Sequence, residues 1–437
     1  MVGQPQKPLT LRRNFSWTFI GNVVYAACQW GMLVLLAKLG SPEMVGQFTL
    51  GLAVTAPVIM FTSLQLRAIQ ATDAKQQYAF GDYLGLRLLA TGLALAIILA
   101  IILIAGYRWE TSLVILVVGI AKALESISDL FYGLIQQHER MDRIAISMMI
   151  KGPLSLLFLG LGVYLTGSVL WGAVGLAFAW ALVLLGYDIR SGASMLSTSG
   201  QTTQSHITGK LKLTAVIQPQ WHWETLKKLV WLSLPLGFVM MLISLNTNIP
   251  RYFIEQYLGE RELGFFAAIS YLMVATGMVV NALGQSASPR LAKYYAVGNS
   301  QAFRALLLKL VGIGVVMGAT GVLVSRVAGR EILTLLYRPE YAEYVNLFVL
   351  LMVATAISDV SSFLGYGMTA ARYFRIQMPL FAVVTTISAI GCFWLIPTYK
   401  LYGAAIALII AAIVQASITL AVIFHAVNRL DKNAQTQ

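Results

Sequence analysis

The stretch Leu234–Phe266 reads LPLGFVMMLISLNTNIPRYFIEQYLGERELGFF: an apolar segment of helix length, a Leu-Gly stop, a short charged turn and a Gly-aromatic restart. The same features follow one another over Trp17–Phe48, which ends in LVLLAKLGSPEMVGQF. With one residue dropped from the second turn, the matched residues are Leu39, Gly40, Glu43, Gly46 and Phe48 in the first copy and Leu258, Gly259, Glu262, Gly264 and Phe266 in the second. A repeat at a separation of about half the chain indicates two copies of one structural unit.

Two further blocks repeat in the same order along the chain. FYGLIQQHERMDRI at 131–144 aligns with FLGYGMTAARYFRI at 363–376, and LWGAVGLA at 170–177 aligns with LYGAAIALI at 401–409. Three matched blocks predict two bundles of six helices each. Because six is an even number, both halves enter the membrane in the same sense. We therefore expect a pseudo-two-fold axis along the membrane normal, an arrangement found in transporters.

The composition is typical of a membrane protein. Of the 437 residues, 58% are hydrophobic and 11% are charged, well below the roughly 25% charged residues of soluble domains. Apolar stretches of about 20 residues recur along the whole chain, which predicts an all-α polytopic membrane protein. The twelve predicted transmembrane spans are 15–39, 44–64, 83–106, 111–133, 144–166, 168–187, 229–257, 262–284, 304–325, 343–366, 376–396 and 401–425.

The predicted domains are an N-terminal six-helix lobe over 1–190, a cytoplasmic linker over 191–226 and a C-terminal six-helix lobe over 227–437. The first part of the linker is rich in Ser, Thr and Gly, which predicts flexibility. Basic residues predict the orientation, since cytoplasmic loops carry an excess of Lys and Arg. With the N-terminus in the cytoplasm, 21 of the 31 basic residues fall on the cytoplasmic side and 8 on the opposite side. The net charge of +13 is therefore a topology signal that requires no nucleic acid, and we expect both termini on the cytoplasmic side of the cell inner membrane.

Three ionisable residues of the fourth span form one candidate site. Lys122, Glu125 and Asp129 follow one another at i, i+3 and i+7, which places them on one face of a helix. An ionisable side chain within a membrane costs about 2.5–3.5 kcal/mol on the insertion scale and usually faces a cavity or a partner. Either this face lines a wet passage, with a carboxylate for proton or sodium coupling, or Lys122 and Glu125 neutralise each other within the helix.

Two further charges lie inside predicted spans. Lys151 in the fifth span precedes Gly152-Pro153, and it either snorkels to the cytoplasmic surface or projects into the same cavity. Asp359 in the tenth span has no Lys or Arg within two helical turns. Its partner is therefore on another helix or is a bound coupling cation, unless it is a protonated structural residue.

Two arginines complete the candidate substrate site. Arg251 lies beside Pro250 in the seventh span, and Asn248 on the same predicted helix is placed to serve a sugar. A guanidinium group can bind phosphate oxygens through two parallel hydrogen bonds, although an arginine at this depth can also snorkel outward. Arg67, at the end of the second span, either guards the inner mouth of the cavity or anchors the chain at the cytoplasmic interface.

Together these features resemble the multidrug/oligosaccharidyl-lipid/polysaccharide exporter superfamily. The resemblance rests on the repeated LG-x(2)-E-x(1,2)-G turn, on SLPLGF at 233–238, on the segment around Pro289 and on the Gly-Ala starts of the last spans. Within this superfamily the chain is most similar to the polysaccharide-transporter branch, the flippases of O-antigen and exopolysaccharide units. The resemblance implies two lobes around a cationic cavity, whose cations here would be Arg251, Arg67, Lys122 and Lys151.

The implied function is transport of an undecaprenyl-diphosphate-linked oligosaccharide from the inner to the outer leaflet by alternating access. The expected partners are this polyprenyl-diphosphate-linked glycan and membrane lipid, with polysaccharide polymerase and assembly proteins as candidate partners of a monomeric chain. The sequence has no Walker loop, HExxH or nucleophile elbow, so we do not expect ATP to be the direct energy source. Every predicted outer connection is short, the longest being about 326–342, which argues against a polysaccharide polymerase or ligase. We therefore expect no enzyme, and no cofactor beyond coupled H+ or Na+. The alternative is a cation-coupled multidrug extruder of the same superfamily, with Glu125, Asp129 and Asp359 in ion coupling.

Overall fold

The computed structural model describes residues 10–73, 77–198 and 218–435, which are almost entirely helical. The helices are α1 (Leu11–Leu39), α2 (Pro42–Thr62), α3 (Leu66–Thr72), α4 (Phe80–Ala105), α5 (Trp109–Gln137), α6 (Met141–Thr166), α7 (Val169–Val183), α8 (Ile189–Thr198), α9 (Trp223–Leu258), α10 (Glu260–Tyr271), α11 (Val274–Ala296), α12 (Ser300–Leu336), α13 (Val345–Ala370) and α14 (Gln377–Gln435). A π-helix, Leu184–Asp188, joins α7 to α8, and 3-10 turns lie at Pro339–Tyr344 and Phe374–Ile376. Non-helical backbone at Lys400 divides α14 into two helices across a kink.

The all-helical, multi-pass architecture expected from composition is confirmed. Within the described ranges, ten helical segments are long and apolar enough to cross a membrane. Each predicted span overlaps a helix, and the eighth span is shared between α10 and α11. Helices α11, α12 and α14 extend about 10–12 residues beyond the predicted ends of the eighth, ninth and twelfth spans. The seventh span, with its polar Asn246 and Asn248 and with Pro250, lies in the continuous helix α9.

The repeated turn is a helix stop in both halves of the chain. In the first copy the Gly40 N–H closes the last turn of α1, and the Ser41 hydroxyl caps α2 by accepting from the Met44 N–H at 3.4 Å. In the second copy Gly259 adopts φ +87°, a conformation that favours glycine, and its N–H donates to the Glu255 carbonyl at 2.9 Å. The Leu-Gly element thus ends the preceding helix by different local means in the two copies.

Contacts divide the chain into two compact units, Met1–Ser244 and Leu245–Gln437. In the first unit α5 is the central helix and packs against α2, α3, α4, α6 and α7, while α1 packs along α6. Close approach of α1 and α6 depends on glycine, since a Cβ at Gly21 would lie 2.8 Å from the Ala145 Cα. The central position of α5 explains why its polar residues find partners on several neighbouring helices.

In the second unit the central helix is α13, which packs against α11, α12 and α14. Helices α5 and α13 hold the fourth span of each predicted repeat, and they end in the same way. Two residues after the end of each helix the backbone is left-handed, with φ +55° at Glu139 and +64° at Arg372. The matched blocks of sequence therefore share their local geometry.

Part of the expected flexible linker is helical. Residues 191–198 belong to α8, where Met195 and Leu196 are buried in a cluster with Phe131 of α5. Burial of these apolar side chains outweighs the Ser and Gly content of the segment. Residues 199–217 of the linker lie outside the described residues. At its other end the Gln220 N–H donates to the Gly81 carbonyl of α4 at 2.8 Å.

The N-terminal half of α9 belongs to the first compact unit. Leu226 and Leu229 are buried in the same cluster as Phe131, and the Phe238 ring packs edge-on against Phe61 with centroids 5.0 Å apart. The division between the compact units therefore falls inside α9. The lobe boundaries given above depend on counting transmembrane spans and stay a prediction.

Candidate functional site

The charged face predicted on the fourth span lies on α5 of the first unit. Lys122 Nζ lies 2.8 Å from Glu125 Oε2, and the Tyr25 hydroxyl donates to Glu125 Oε1 at 2.6 Å. The Lys122 ammonium also lies over the Trp180 ring, 5.0 Å from its centroid. The Lys122 and Glu125 side chains are 23% and 27% exposed, so the neutralising pair that the sequence suggests is also partly accessible.

Asp129, the third residue of this face, pairs with Arg67. Arg67 Nη1 donates to Asp129 Oδ1 at 2.9 Å, and Arg67 Nε donates to Gln136 Oε1 at 3.1 Å. The Arg67 guanidinium lies 5.6 Å from the centroid of the Tyr132 ring. Both side chains of this ion pair are about one-third exposed, at 33% and 36%, so the protein does not fully enclose them.

A break between α2 and α3 determines where Arg67 lies. Leu64 and Gln65 adopt φ +52° and +50°, which is unfavourable for residues with a side chain. The new helix α3 then approaches α5 at Gly133, where a Cβ would lie only 3.2 Å from the Arg67 Cα. The break and the glycine together bring Arg67 onto the charged face of α5.

Lys151 is fully buried in the first unit rather than snorkelling to the surface. Its Nζ lies 3.5 Å from Asp188 Oδ2 and 5.1 Å from the centroid of the Tyr132 ring. The Ser147 hydroxyl donates to Asp188, and the hydroxyls of Tyr132 and Ser147 share a hydrogen bond of 2.7 Å. Asp188 is the last residue of the π-helix between α7 and α8.

A further cation, Arg87 of α4, lies against the same face of α5 and was missed as a site residue. Its side chain is 1% exposed and its Nη1 donates to Ser126 Oγ at 2.9 Å. Among the described residues, Arg87 Nε and Nη2 have no hydrogen-bond partner. Arg87 and Asp188 lie at the predicted cytoplasmic ends of the third and sixth spans, where a charge is typical of a topology signal. The available signal was the apolar run LGLRLLA around Arg87, in which a charge implies burial.

This linked group carries an excess of positive charge. Its cations are Arg67, Arg87, Lys122 and Lys151, and its carboxylates are Glu125, Asp129 and Asp188. With every group in its ordinary ionisation state, one positive charge is left over. Membrane charges are stable only when paired or hydrated, so such a group is suited to an anionic ligand.

The candidate residues of the second unit lie on α9 and α13. Arg251 Nη1 donates to Asn248 Oδ1 at 2.9 Å, and Arg251 is half-buried while Asn248 is buried. Within the described residues, Arg251 has no carboxylate partner. Its charge is therefore held in place by an amide and left uncompensated.

Asp359 of α13 is buried, and its partner is not a basic residue. Thr276 of α11 is close enough to interact with it electrostatically, although the Thr276 hydroxyl donates to the Met273 carbonyl at 3.0 Å. The Asp359 Oδ2 atom has no hydrogen-bond partner in the described part of the chain. The alternatives of a partner on another helix, a bound cation and a protonated structural residue therefore stay open for Asp359.

The chain is similar to known polysaccharide biosynthesis proteins. The sequence model of the polysaccharide biosynthesis protein family matches this chain over residues 11–295. The capsular polysaccharide biosynthesis protein CapF of Staphylococcus aureus is 29% identical over 409 residues, which are 92% of this chain and 96% of that protein.

Two solved structures of a multidrug resistance MATE family transporter of the MOP superfamily are similar in fold. The inward-facing structure has a TM-score of 0.65 at 13% identity and covers 95% of this chain and 99% of its own. The outward-facing structure has a TM-score of 0.60 at 15% identity, with 95% of both chains covered. At this level of identity the likeness concerns the fold alone.

Proposed function

The chain belongs to the polysaccharide biosynthesis protein family, and we propose that it is a flippase that moves a polyprenyl-diphosphate-linked oligosaccharide from the inner to the outer leaflet. It is a multi-pass membrane protein of the polysaccharide-transporter branch of the multidrug/oligosaccharidyl-lipid/polysaccharide exporter superfamily. The relative CapF, described as a capsular polysaccharide biosynthesis protein, supports a glycan as the cargo. The lipid-linked form of the glycan and the inner membrane as its location are part of the proposal.

Arg251 is the observation that carries the substrate class. A half-buried guanidinium without a carboxylate partner in the described ranges is costly at membrane depth unless an anion compensates it. A diphosphate offers several oxygens to a guanidinium in the geometry that arginine prefers. The neighbouring Asn248 amide holds Arg251 and suits a hydroxyl-rich ligand. We assign Arg67, Lys122 and Lys151 as further cations of this substrate path.

The proposal includes twelve crossings in two six-helix repeats related by a pseudo-two-fold axis. Ten helical segments already meet the requirements of length and hydropathy. Helix α5, which carries the charged face, supplies an eleventh crossing, and the kink at Lys400 makes α14 the last two crossings instead of one. The even count leaves both termini on the same side of the membrane, and the excess of basic residues on that side makes it the cytoplasm. A carrier of this design works by alternating access.

Ion coupling is assigned to Glu125, Asp129 and Asp359, with H+ or Na+ as the coupling ion. The free carboxyl oxygen of Asp359 is also the observation that favours the second candidate function, a cation-coupled multidrug extruder. The two functions differ in cargo charge. An excess of cations on α5 and an uncompensated Arg251 favour an anionic cargo over an organic cation.

Deletion of the chain tests the cargo. We expect lipid-linked oligosaccharides to accumulate on the cytoplasmic side and the surface glycan to be lost. Arg251→Ala is expected to lower surface glycan about tenfold or more at normal protein level, since a charged contact is worth about 1.5–3 kcal/mol.

The matched control is Arg261→Ala in the same unit, an exposed arginine that pairs with Glu340 at 3.2 Å and is expected to keep normal surface glycan. Normal surface glycan in the deletion strain, with loss of resistance to organic cations instead, would overturn the proposal in favour of the extruder.

A further inference from the structure

Arg87 and Arg67 approach Asp129 from different depths. Arg67 binds Asp129 in a pair that is one-third exposed, whereas Arg87 is 1% exposed and binds Ser126. Ser126 and Asp129 are three residues apart on α5, so their Cβ atoms lie about 5–6 Å apart on one face. Arg87 and Asp129 attract each other electrostatically. Two of the three Arg87 guanidinium nitrogens lack a hydrogen-bond partner within the described residues.

An anion that binds Arg67 creates a problem for Asp129. The anion competes for the same guanidinium, so the Asp129 carboxylate loses its partner and is repelled by the new negative charge. A carboxylate left unpaired at membrane depth carries a large desolvation penalty. Without a second cation within reach, this penalty would be subtracted from the affinity for the anion.

We propose that Arg87 is the reserve partner of Asp129. When an anionic group of the substrate binds Arg67, the Asp129 side chain rotates toward Ser126, one helical turn away on α5, and its carboxylate pairs with Arg87. The exchange satisfies the unpartnered nitrogens of Arg87, keeps Asp129 paired and frees Arg67 for the cargo. Arg87 is thus a positioning residue that acts through Asp129 and does not touch the cargo. The proposal rests on the proposed function only in taking the anionic group to be a diphosphate.

A ligand-free experiment tests the exchange. Thermal unfolding of the purified full-length protein is measured for Arg87→Gln, Asp129→Asn and the double variant, first with Arg67 present and then in an Arg67→Gln background. We expect the two Tm changes to be nearly additive with Arg67 present. In the Arg67→Gln background Asp129 is expected to pair with Arg87. There we expect the Tm change of the double variant to differ from the sum of the two single changes by about 2–4 °C more than it does with Arg67 present. Arg87→Lys, which keeps the charge, should retain this coupling.

The control cycle pairs Asp129→Asn with Arg140→Gln, since Arg140 binds Asp142 at 2.8 Å and is expected to be additive in both backgrounds. The reserve role is overturned if the Arg87→Gln and Asp129→Asn changes in Tm are non-additive to the same extent with and without Arg67. It is also overturned if these changes are additive in both backgrounds. If Arg87→Gln does not accumulate, the sign of the Asp129→Asn change in the Arg67→Gln background decides. A lowered Tm supports the pairing of Asp129 with Arg87, and a raised Tm, as expected when the removed carboxylate was unpaired, overturns it.

Inorganic pyrophosphate provides a second measurement. Arg87→Gln is expected to weaken its binding about tenfold, and Asp129→Asn in the same chain to restore it, because the carboxylate that needs a reserve partner is gone. An Arg87→Gln defect that Asp129→Asn does not restore contradicts the exchange. Pyrophosphate that binds neither protein counts against the proposed cargo, while the ligand-free cycles still decide the exchange.

Discussion

Lys151 and Asp188 form the deepest charge pair of the first unit. Their side chains are 2% and 0% exposed. The Tyr132 ring of α5 packs against the Lys151 ammonium, and the Ser147 hydroxyl of α6 donates to Asp188. No cargo can replace either partner without unpacking these helices. The Lys122–Glu125 and Arg67–Asp129 pairs are partly exposed and can exchange partners. We therefore expect the first pair to stabilise the packing of these helices, so that Lys151 contributes its positive charge to the substrate path without changing its partner. We expect the other two pairs to exchange partners with ligand.

Lys151→Met is expected to destabilise the protein strongly. Removing one partner of a buried ion pair leaves an uncompensated charge and costs about 3–5 kcal/mol. Lys122→Met, the matched change in a partly exposed pair, is expected to cost less, because the Tyr25 hydroxyl still donates to the Glu125 carboxylate and the pair is less buried. Thermal unfolding in detergent measures both, and the Lys151→Met/Asp188→Leu double variant should recover much of the loss. Equal losses for the two lysines would show that burial is not the deciding difference.

Charges that follow a helical period were the predictable part of the site. The spacing of Lys122, Glu125 and Asp129 places them on one face, and the structure has them there. Their partners could not be predicted, because Arg67 and Tyr25 are distant in sequence and reach α5 only through tertiary packing. Arg87 and Asp188 lie near the ends of apolar runs, where a topology charge and a buried charge look alike.

At the scale of the helices, the spans and the repeated stops were predictable from hydropathy and from the Leu-Gly turn. The break at Leu64-Gln65 and the π-helix before α8 were not. Both are held by packing and not by local sequence: Gly237 of α9 approaches the Phe61 carbonyl and the Leu64 side chain, and Asp188 is held by Ser147. The helix break positions Arg67 and the π-helix positions Asp188. The geometry of the site therefore depends on two backbone irregularities that the hydrophobic periodicity of the sequence does not predict.

Two glycines of α4 give a matched test of helix packing. A Cβ at Gly85 would lie 2.2 Å from the Gln220 backbone carbonyl, whereas a Cβ at Gly92 meets nothing within 4 Å. Gly85→Ala should therefore displace the segment before α9 and lower the unfolding temperature. Gly92→Ala should be neutral or raise stability by up to about 1 kcal/mol, the helix-propensity difference.

Thermal unfolding of the two single variants in the same detergent makes the comparison. If Gly85→Ala is as stable as Gly92→Ala, the 218–222 segment does not dock against α4 as the structure shows.

At the scale of the whole molecule, the count of crossings is open to a direct test. Single cysteines at Tyr107, Glu139 and Tyr399, in a chain with Cys28 and Cys392 replaced by alanine, report the side on which each connection lies. We expect a membrane-impermeant thiol reagent to label Tyr107→Cys and Tyr399→Cys from outside intact cells. Glu139→Cys should be labelled only after the membrane is opened, because α5 separates it from position 107.

The labelling pattern separates twelve crossings from ten. If the cysteines at positions 107 and 139 are labelled from the same side of the membrane, α5 does not cross it. A label at position 399 from the cytoplasmic side alone would mean that the kink at Lys400 is not a connection between two crossings.

The left-handed residue that follows α5 has a practical consequence for preparing this protein. Glu139 is exposed and holds a backbone conformation that every residue except glycine adopts at a cost. Glycine at that position would relieve the cost without disturbing a buried contact or a basic residue that sets the orientation. A more stable protein for purification and crystal growth can thus be sought by changing one exposed residue in a surface bend.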